Sequence, residues 1–178
     1  MEQFKKRKTT RLKGADYNRP CVIFLTICTK DRRCILSRIV GTGVLDGPRI
    51  ELTEYGQIAD KYIKQLNDFY TDLSVMRYVI MPNHIHILLW VKGDMNAISG
   101  VIDGDGPSRT PVPTGQNSIP ARFVSTFKRF CNKEFGTNIW QYRSNDHIIR
   151  NRRDYEKHVN YIAENPMHWH FDELFTEA

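Results

Sequence analysis

RYVIMPNHIHILLWV, residues 77–91, reads as two apolar strands joined at Pro82-Asn83. Pro82 sets φ for the first corner of a tight turn and Asn83 tolerates the second. Side chains alternate faces along a strand, so His84 and His86 project from one face as neighbours. Ile85, Ile87, Leu89 and Val91 take the other face, where helices can cover them. Two imidazoles side by side at a strand end make half of a metal site.

Working outward, Cys21 to Thr29 (CVIFLTICT) is a short apolar run rich in β-branched and aromatic residues, the pattern of a buried strand. Residues 35–52 carry strand-like pieces around Gly41-Thr42-Gly43 and Asp46-Gly47, which suggests a hairpin. Thr53 is placed to cap a helix over 54–69, with Ile58, Tyr62, Ile63, Leu66 and Phe69 as its apolar face. Residues 93–120 hold five glycines and four prolines and read as a flexible insertion. Ser118 is placed to cap the next helix, which runs to about Phe135 and buries Phe123, Phe127, Phe130 and Cys131. Ile139-Trp140-Gln141 and His147-Ile148-Ile149 are short extended pieces. A last helix starts near the N-cap Asn151, with Asp154 as a capping-box partner, and Pro166 stops it. Tight turns between neighbours imply antiparallel pairing. The expected fold is α+β: a ferredoxin-like antiparallel sheet with helices packed on it. It is expected to form one domain over 1–178, with a basic arm at 1–19 and the insertion at 93–120.

The length of 178 residues suits one sizeable core. No run is apolar and long enough to span a bilayer, and the basic start lacks the apolar core of a secretory signal. The four cysteines show no metal-cluster spacing and read as reduced thiols of a cytoplasmic protein. Twenty-six basic against 20 acidic residues leave a net charge of +6, which permits nucleic-acid binding. Lys5, Lys6, Arg7, Lys8, Arg11 and Lys13 crowd the start. Arg143, Arg150, Arg152, Arg153 and Lys157 gather around the start of the last helix. A solvated basic tail is the plain alternative for the first group.

At about 100° per residue, Tyr155, Val159 and Ile162 share one face of the last helix, and Asp154, His158, Tyr161 and Asn165 share another. Such a polar stripe is ordinarily a solvated face. Beside the two histidines it gains a second meaning. A divalent cation on neutral imidazoles needs more ligands, and Asn165 offers an amide oxygen one turn beyond Tyr161. A phenol near a phosphate-binding cation can act as a nucleophile, its pKa of about 10 falling beside the charge. No carboxylate is evident among these ligands, so the set is neutral, and manganese should hold better than magnesium on its nitrogens. Asp154 and His158 are read as surface or supporting groups, and Trp90 and Trp140 as core.

Met81-Pro82-Asn83-His84-Ile85-His86 together with Tyr161-Ile162-Ala163-Glu164-Asn165-Pro166 resembles the REP-associated tyrosine transposases. These stand within the insertion-sequence-200-type single-tyrosine HUH transposases. The likeness extends to Thr26-Ile27-Cys28-Thr29, Phe127-Lys128, Ile139-Trp140-Gln141 and His147-Ile148-Ile149-Arg150-Asn151. It implies a ferredoxin-like nuclease domain that cuts and rejoins single-stranded DNA beside REP-like hairpins. It also implies Mg2+ or Mn2+ on His84, His86 and Asn165, with Tyr161 as the nucleophile that leaves a 5′-phosphotyrosine and a free 3′-hydroxyl. The enzyme would work in the bacterial cytoplasm, nucleoid-associated when bound to DNA, with no membrane partner. Arg150, Arg152, Arg153 and the N-terminal basic residues are the candidate DNA contacts. Ser144-Asn145 stands where relatives often carry two aromatics. Monomer and homodimer are both open. The alternatives are a domesticated hairpin-binding protein with little cleavage, and a different metallohydrolase, which would need a further ligand or general base such as HExxH supplies.

Overall fold

In a computed structural model of the chain, the described residues are Tyr17, 19–41, 47–92 and 118–176. Strands β4 (Leu73–Ile80) and β5 (His84–Val91) pair antiparallel around Pro82 and Asn83. The Met81 N–H donates to the His84 carbonyl at 2.8 Å and closes the turn. β5 pairs with β1 (Cys21–Cys28), and β1 with β6 (Asn145–Ile148), giving an antiparallel sheet of order β4-β5-β1-β6. Between β1 and the first helix, β2 (Ser37–Val40) and β3 (Arg49–Leu52) form the expected hairpin as a separate two-stranded ribbon. Among the described residues, three helices pack on the sheet: α1 (Glu54–Phe69), α2 (Ile119–Phe135) and α3 (Arg152–Glu164). This is the α+β, ferredoxin-like arrangement read from the strand and helix order.

Every residue of β1 is buried, because both faces of the sheet are covered. On one face Ile23, Leu25, Ile27, Ile85, Ile87 and Leu89 pack beneath α1 and α2, against Ile63, Leu66, Phe123 and Phe127. On the other, Val22, Phe24 and Leu88 join Val79 and Met81 against Ile162 of α3 and Trp169 beyond it. The period-two alternation therefore sorts each central strand into a purely structural face and a face that carries the histidines.

The helix ends follow their capping chemistry. The Thr53 hydroxyl accepts from the Gly56 N–H at 3.2 Å, and the Asn151 side chain accepts from the Asp154 N–H at 2.9 Å. Gly136, at φ +69°, takes the left-handed conformation that ends α2. Ser118 stands at the α2 N-cap, yet its side chain makes no capping bond. Phe69, expected on the buried face of α1, is 74% exposed, while Leu66 before it is buried and Tyr70 after it packs against the core. Phe130 is only partly buried. Helix α2 begins at Ile119, inside the stretch expected as an insertion. The remainder of that stretch, the turn at 42–46 and the arm residues 1–16 lie outside the described residues. All four cysteines are free thiols, and no helix among the described residues is long and apolar enough to cross a membrane.

Gly56 is the tightest point of the α1 anchorage. The Thr53 N–H donates to Leu36 O, and the Thr53 hydroxyl also donates to that carbonyl, drawing the helix start onto it. A Cβ at Gly56 would fall far inside van der Waals contact of the same oxygen. Gly-to-Ala in a helix ordinarily stabilises by up to about 1 kcal/mol. Here Gly56→Ala is expected to destabilise by about 2 kcal/mol or more, as overpacking against backbone does. Urea unfolding of the two proteins checks this, and equal or higher stability of the variant contradicts it.

Candidate functional site

His84 and His86 open β5 and are buried, at 0% and 3% exposure. Their rings meet edge to face with centroids 4.4 Å apart. In the sheet register, His84 lies opposite Cys28 and His86 opposite Thr26, which in turn faces Asn145 across β1. The His86 Nδ1 is 3.0 Å from the Thr26 hydroxyl. The His84 Nδ1 is 2.8 Å from Asn83 Oδ1.

A chain of donors fixes the His84 tautomer. Thr176 donates its hydroxyl proton to Arg32 O at 3.0 Å, so its oxygen accepts from Asn83 Nδ2 at 2.9 Å. The same amide nitrogen donates to Leu174 O at 2.8 Å. Asn83 Oδ1 is then the atom turned to His84 and can only accept. His84 therefore carries its proton on Nδ1, and Nε2 presents a lone pair. Asn83, read in the sequence as a turn former, is fully buried and orients a histidine from behind.

Among the described residues, His84 Nε2, His86 Nε2 and Asn165 Oδ1 are buried atoms with no hydrogen-bond partner. An unpaired buried polar atom costs about 1–3 kcal/mol. The three belong to one site. Asn165, at the C-terminal cap of α3, donates Nδ2 to Asp172 Oδ2 at 2.8 Å, which leaves its Oδ1 free as an acceptor. A carboxylate oxygen of Asp172 lies within 4.8 Å of the ligand nitrogens of both histidines. Two imidazoles, an amide oxygen and a carboxylate are a donor set that fits a divalent cation. The neutral set of two imidazoles and an amide read from the sequence thus has a carboxylate for a neighbour. Asp172 supplies a charge beside it, carried in by a tail that returns over the histidines after a short 3-10 turn at Trp169–Phe171.

Tyr161 stands at the rim, 39% exposed. Its hydroxyl donates to Asp172 Oδ2 at 2.7 Å, and its ring lies 5.1 Å from that of His86. Burial, then this bond to a carboxylate, pushes the phenol above its ordinary pKa. Burial works to raise the Asp172 carboxyl too. The bonds from the Leu174 N–H, Tyr161 and Asn165 outweigh it and hold Asp172 below its usual value. Phe24 packs between the histidines and α3, with its ring 4.9 Å from His86, 4.5 Å from His158 and 6.0 Å from Tyr161.

The polar stripe of α3 faces the sheet instead of solvent. Asp154 Oδ2 accepts from the backbone N–H of Arg150 at 3.0 Å and is 2.8 Å from His147 Nε2 of β6. Its other oxygen is 3.3 Å from His158 Nδ1, which is itself 2.8 Å from the Asp154 carbonyl. The His147 and His158 rings stack at 4.9 Å. This group clamps the start of α3 to β6, and so sets where Tyr161 falls two turns after Asp154. Arg150, Arg152 and Arg153 are exposed outside the clamp, with Arg152 paired to Glu156. Trp140 is buried core as expected, and Trp90 is partly buried. Lys5, Lys6, Arg7, Lys8, Arg11 and Lys13 lie outside the described residues. Sequence reasoning missed Asp172 and the supporting roles of Asn83 and Thr26. The Pro-Asn pair hinted at a turn, and nothing in the tail flagged Asp172.

The resemblance read from the motifs is borne out. No protein-family model matches the chain. It is 28% identical over 178 residues to an uncharacterized protein of Haemophilus influenzae, covering 96% of this chain and 94% of that one. It is 28% identical over 115 residues to a REP-associated tyrosine transposase of Escherichia coli, covering 65% of this chain and 56% of that protein. Its fold matches the solved structure of a REP-associated tyrosine transposase bound to a REP hairpin. The TM-score is 0.52 at 21% identity, over 93% of this chain and 73% of the other.

Burial pushes the His84 imidazole down from 6.5 to about 4, against the pull of Asp172. Burial, then the neighbouring His84, pushes His86 well below its ordinary value. Both rings are therefore neutral at pH 7. Between pH 6.5 and 4 the unfolded chain binds the protons that the folded one refuses, so stability falls as pH falls through that window. His84 alone should cost about 2 kcal/mol between pH 7 and pH 5. Urea midpoints measured with a chelator present should drop accordingly, and less so in His84→Gln. A midpoint that stays flat contradicts a buried neutral pair.

Proposed function

We propose that this chain is a metal-dependent, single-stranded DNA endonuclease and strand transferase of the transposase kind, acting beside REP-like hairpins through Tyr161. The supporting observation is a set of three unpartnered buried polar atoms, His84 Nε2, His86 Nε2 and Asn165 Oδ1, on residues that Asp172 links to one another and to the Tyr161 hydroxyl. The substrate class comes from the named relatives: one is a REP-associated tyrosine transposase, and another solved example is bound to a REP hairpin. On this reading the protein acts on chromosomal DNA in the cytoplasm.

His84, His86 and Asn165 would hold Mg2+ or Mn2+, with Asp172 as the nearby anion, and nitrogen donors favour manganese. When bound, the cation would polarise the scissile phosphate and offset transition-state charge. The chain's own residues do the rest. Asn83 and Thr26 hold the imidazoles from behind. Phe24 and the His147–Asp154–His158 clamp fix the helix that carries the nucleophile. Tyr161 already donates its proton toward Asp172 Oδ2, so that oxygen is the nearest acceptor as the phenol attacks phosphorus. The Tyr161 O–P bond forms, the bond from phosphorus to the 3′ oxygen breaks, and that oxygen leaves with a proton as a hydroxyl. The 5′-phosphotyrosine keeps the bond energy for rejoining, so strand transfer needs no external energy source.

Two outcomes test this. Incubated with Mn2+ and labelled single strands carrying REP-like hairpins, the protein should form a covalent adduct visible on a denaturing gel. Tyr161→Phe should lose it by at least about a thousandfold while hairpin binding stays within about twofold, since the variant lacks only the attacking oxygen. Hairpin binding with no adduct from the wild type would favour the binding-protein alternative. Separately, Mn2+ affinity followed by electron paramagnetic resonance should fall about tenfold or more in His84→Ala and about 10–100-fold in Asn83→Ala, which removes the support for the His84 tautomer. Unchanged affinity in both sinks the assigned site.

A further inference from the structure

A second trough runs from the candidate site toward the loop after α2. The site lies in a cavity of about 400 Å3 that includes His86, Tyr161 and Phe171. The second trough, of about 1000 Å3, lies between the end of β1 and the 138–143 loop. Thr26 and Asn145 line both, so the two adjoin at the edge of the sheet. Buried Trp140 also lines the larger trough, whose flanks carry Lys30 and Arg143 against a single carboxylate, Asp31.

Each trough has a solvated aromatic ring at its lip: Tyr142 is 94% exposed and Phe171 87%. The Tyr142 loop is held firmly. Gln141 N–H donates to Cys28 O at 2.9 Å, and Lys30 N–H donates to Ile139 O at 2.7 Å. Lys128 Nζ, half-sunk beneath the loop, donates to Gln141 O at 2.7 Å and reaches Tyr142 O and Arg143 O at 3.4 Å each. The ring is thus presented to water by a stitched loop, with none of its own area used for packing.

We infer that these adjoining troughs form a track for unpaired DNA, in which Tyr142 and Phe171 stack bases on either side of the scissile phosphate and Lys30 and Arg143 contact the backbone. Aromatic platforms beside cationic groups bind single strands without regard to sequence, because every base has a π face. A duplex keeps its bases stacked on one another and offers these rings nothing. The inference rests on the proposed function only for the position of the scissile phosphate, and Tyr142 lies outside the catalytic group.

The test uses the full chain in chelator, where no cleavage occurs, with a fluorescein-labelled oligothymidine read by anisotropy. Tyr142→Ala should weaken binding about tenfold or more, and Tyr142→Trp should return it to within about twofold of wild type. Arg143→Gln and Lys30→Gln should each lower the salt slope by about 0.7. A blunt duplex of mixed sequence should bind the wild type and Tyr142→Ala alike. Oligothymidine binding that is unchanged in Tyr142→Ala, or lost equally for duplex, overturns the track. An adduct through Tyr161 without Tyr142-dependent binding leaves the nucleophile standing and removes the track. Tyr142-dependent binding without an adduct does the reverse.

Discussion

Two imidazoles buried side by side with their Nε2 atoms unpartnered are the constraint around which this molecule is arranged. Neither can be charged cheaply, because burial disfavours the imidazolium of each and a charge on one disfavours a charge on the other. Both must also be aimed, and β5 does this by register: alternate residues of one strand share a face, and the strand is pinned between β4 and β1. Each Nδ1 then meets a polar side chain behind it, Asn83 or Thr26. The cost of the unpaired Nε2 atoms is offset elsewhere, by a core that covers the opposite face of the same strand with Ile85, Ile87 and Leu89.

That division of labour runs through the sheet. Helices α1 and α2 cover one face mainly with aliphatic and aromatic side chains, with polar contacts such as Tyr78 to Asp60 at the margin. The other face is closed by α3 and the returning tail, whose contacts are mixed. Ile162 and Trp169 pack on Val22 and Leu88, while Asn165, Tyr161 and Asp172 meet above the histidines. The functional groups therefore sit where the second core stops, and the stability of α3 on the sheet is also the positioning of Tyr161.

The parts of this arrangement that repeat with a period were legible in the sequence. The helix over 54–69, the end of α2 at Phe135, the capping by Thr53 and Asn151, and the shared face of His84 and His86 all follow from spacing and capping rules. The juxtaposition of Tyr161 and Asn165 followed from the helical angle. The misses share a different cause. Asp172 belongs to a tail with no period, and its role arises only because the chain doubles back after Pro166. Asn83 carries a strong turn signal that hides its second use, since its amide partners, Leu174 and Thr176, are some ninety residues away. Phe69 falls roughly 90° round the helix from the buried stripe of Ala59, Ile63 and Leu66, and Tyr70 takes the core contact beyond Leu66 instead. Asp154 and His158 read as surface or supporting groups, and it is the placement of His147 on β6 that gives them the supporting role.

The Tyr161–Asp172 bond gives the site a direction. A phenol whose proton is shared with a carboxylate, and whose pKa is raised by that carboxylate and by burial, is poorly reactive until something changes the balance. The same Asp172 holds the Asn165 amide, so one oxygen ties the candidate nucleophile to a candidate ligand. On the proposed reading, positive charge arriving beside His84 and His86 would draw on Asp172 and make the phenolate less costly, so cation binding and nucleophile activation are linked through a single carboxylate. The distance over which this coupling acts is that of two hydrogen bonds, of 2.7 and 2.8 Å. The chain reaches that economy by bringing three segments, β5, the end of α3 and the tail, to one point.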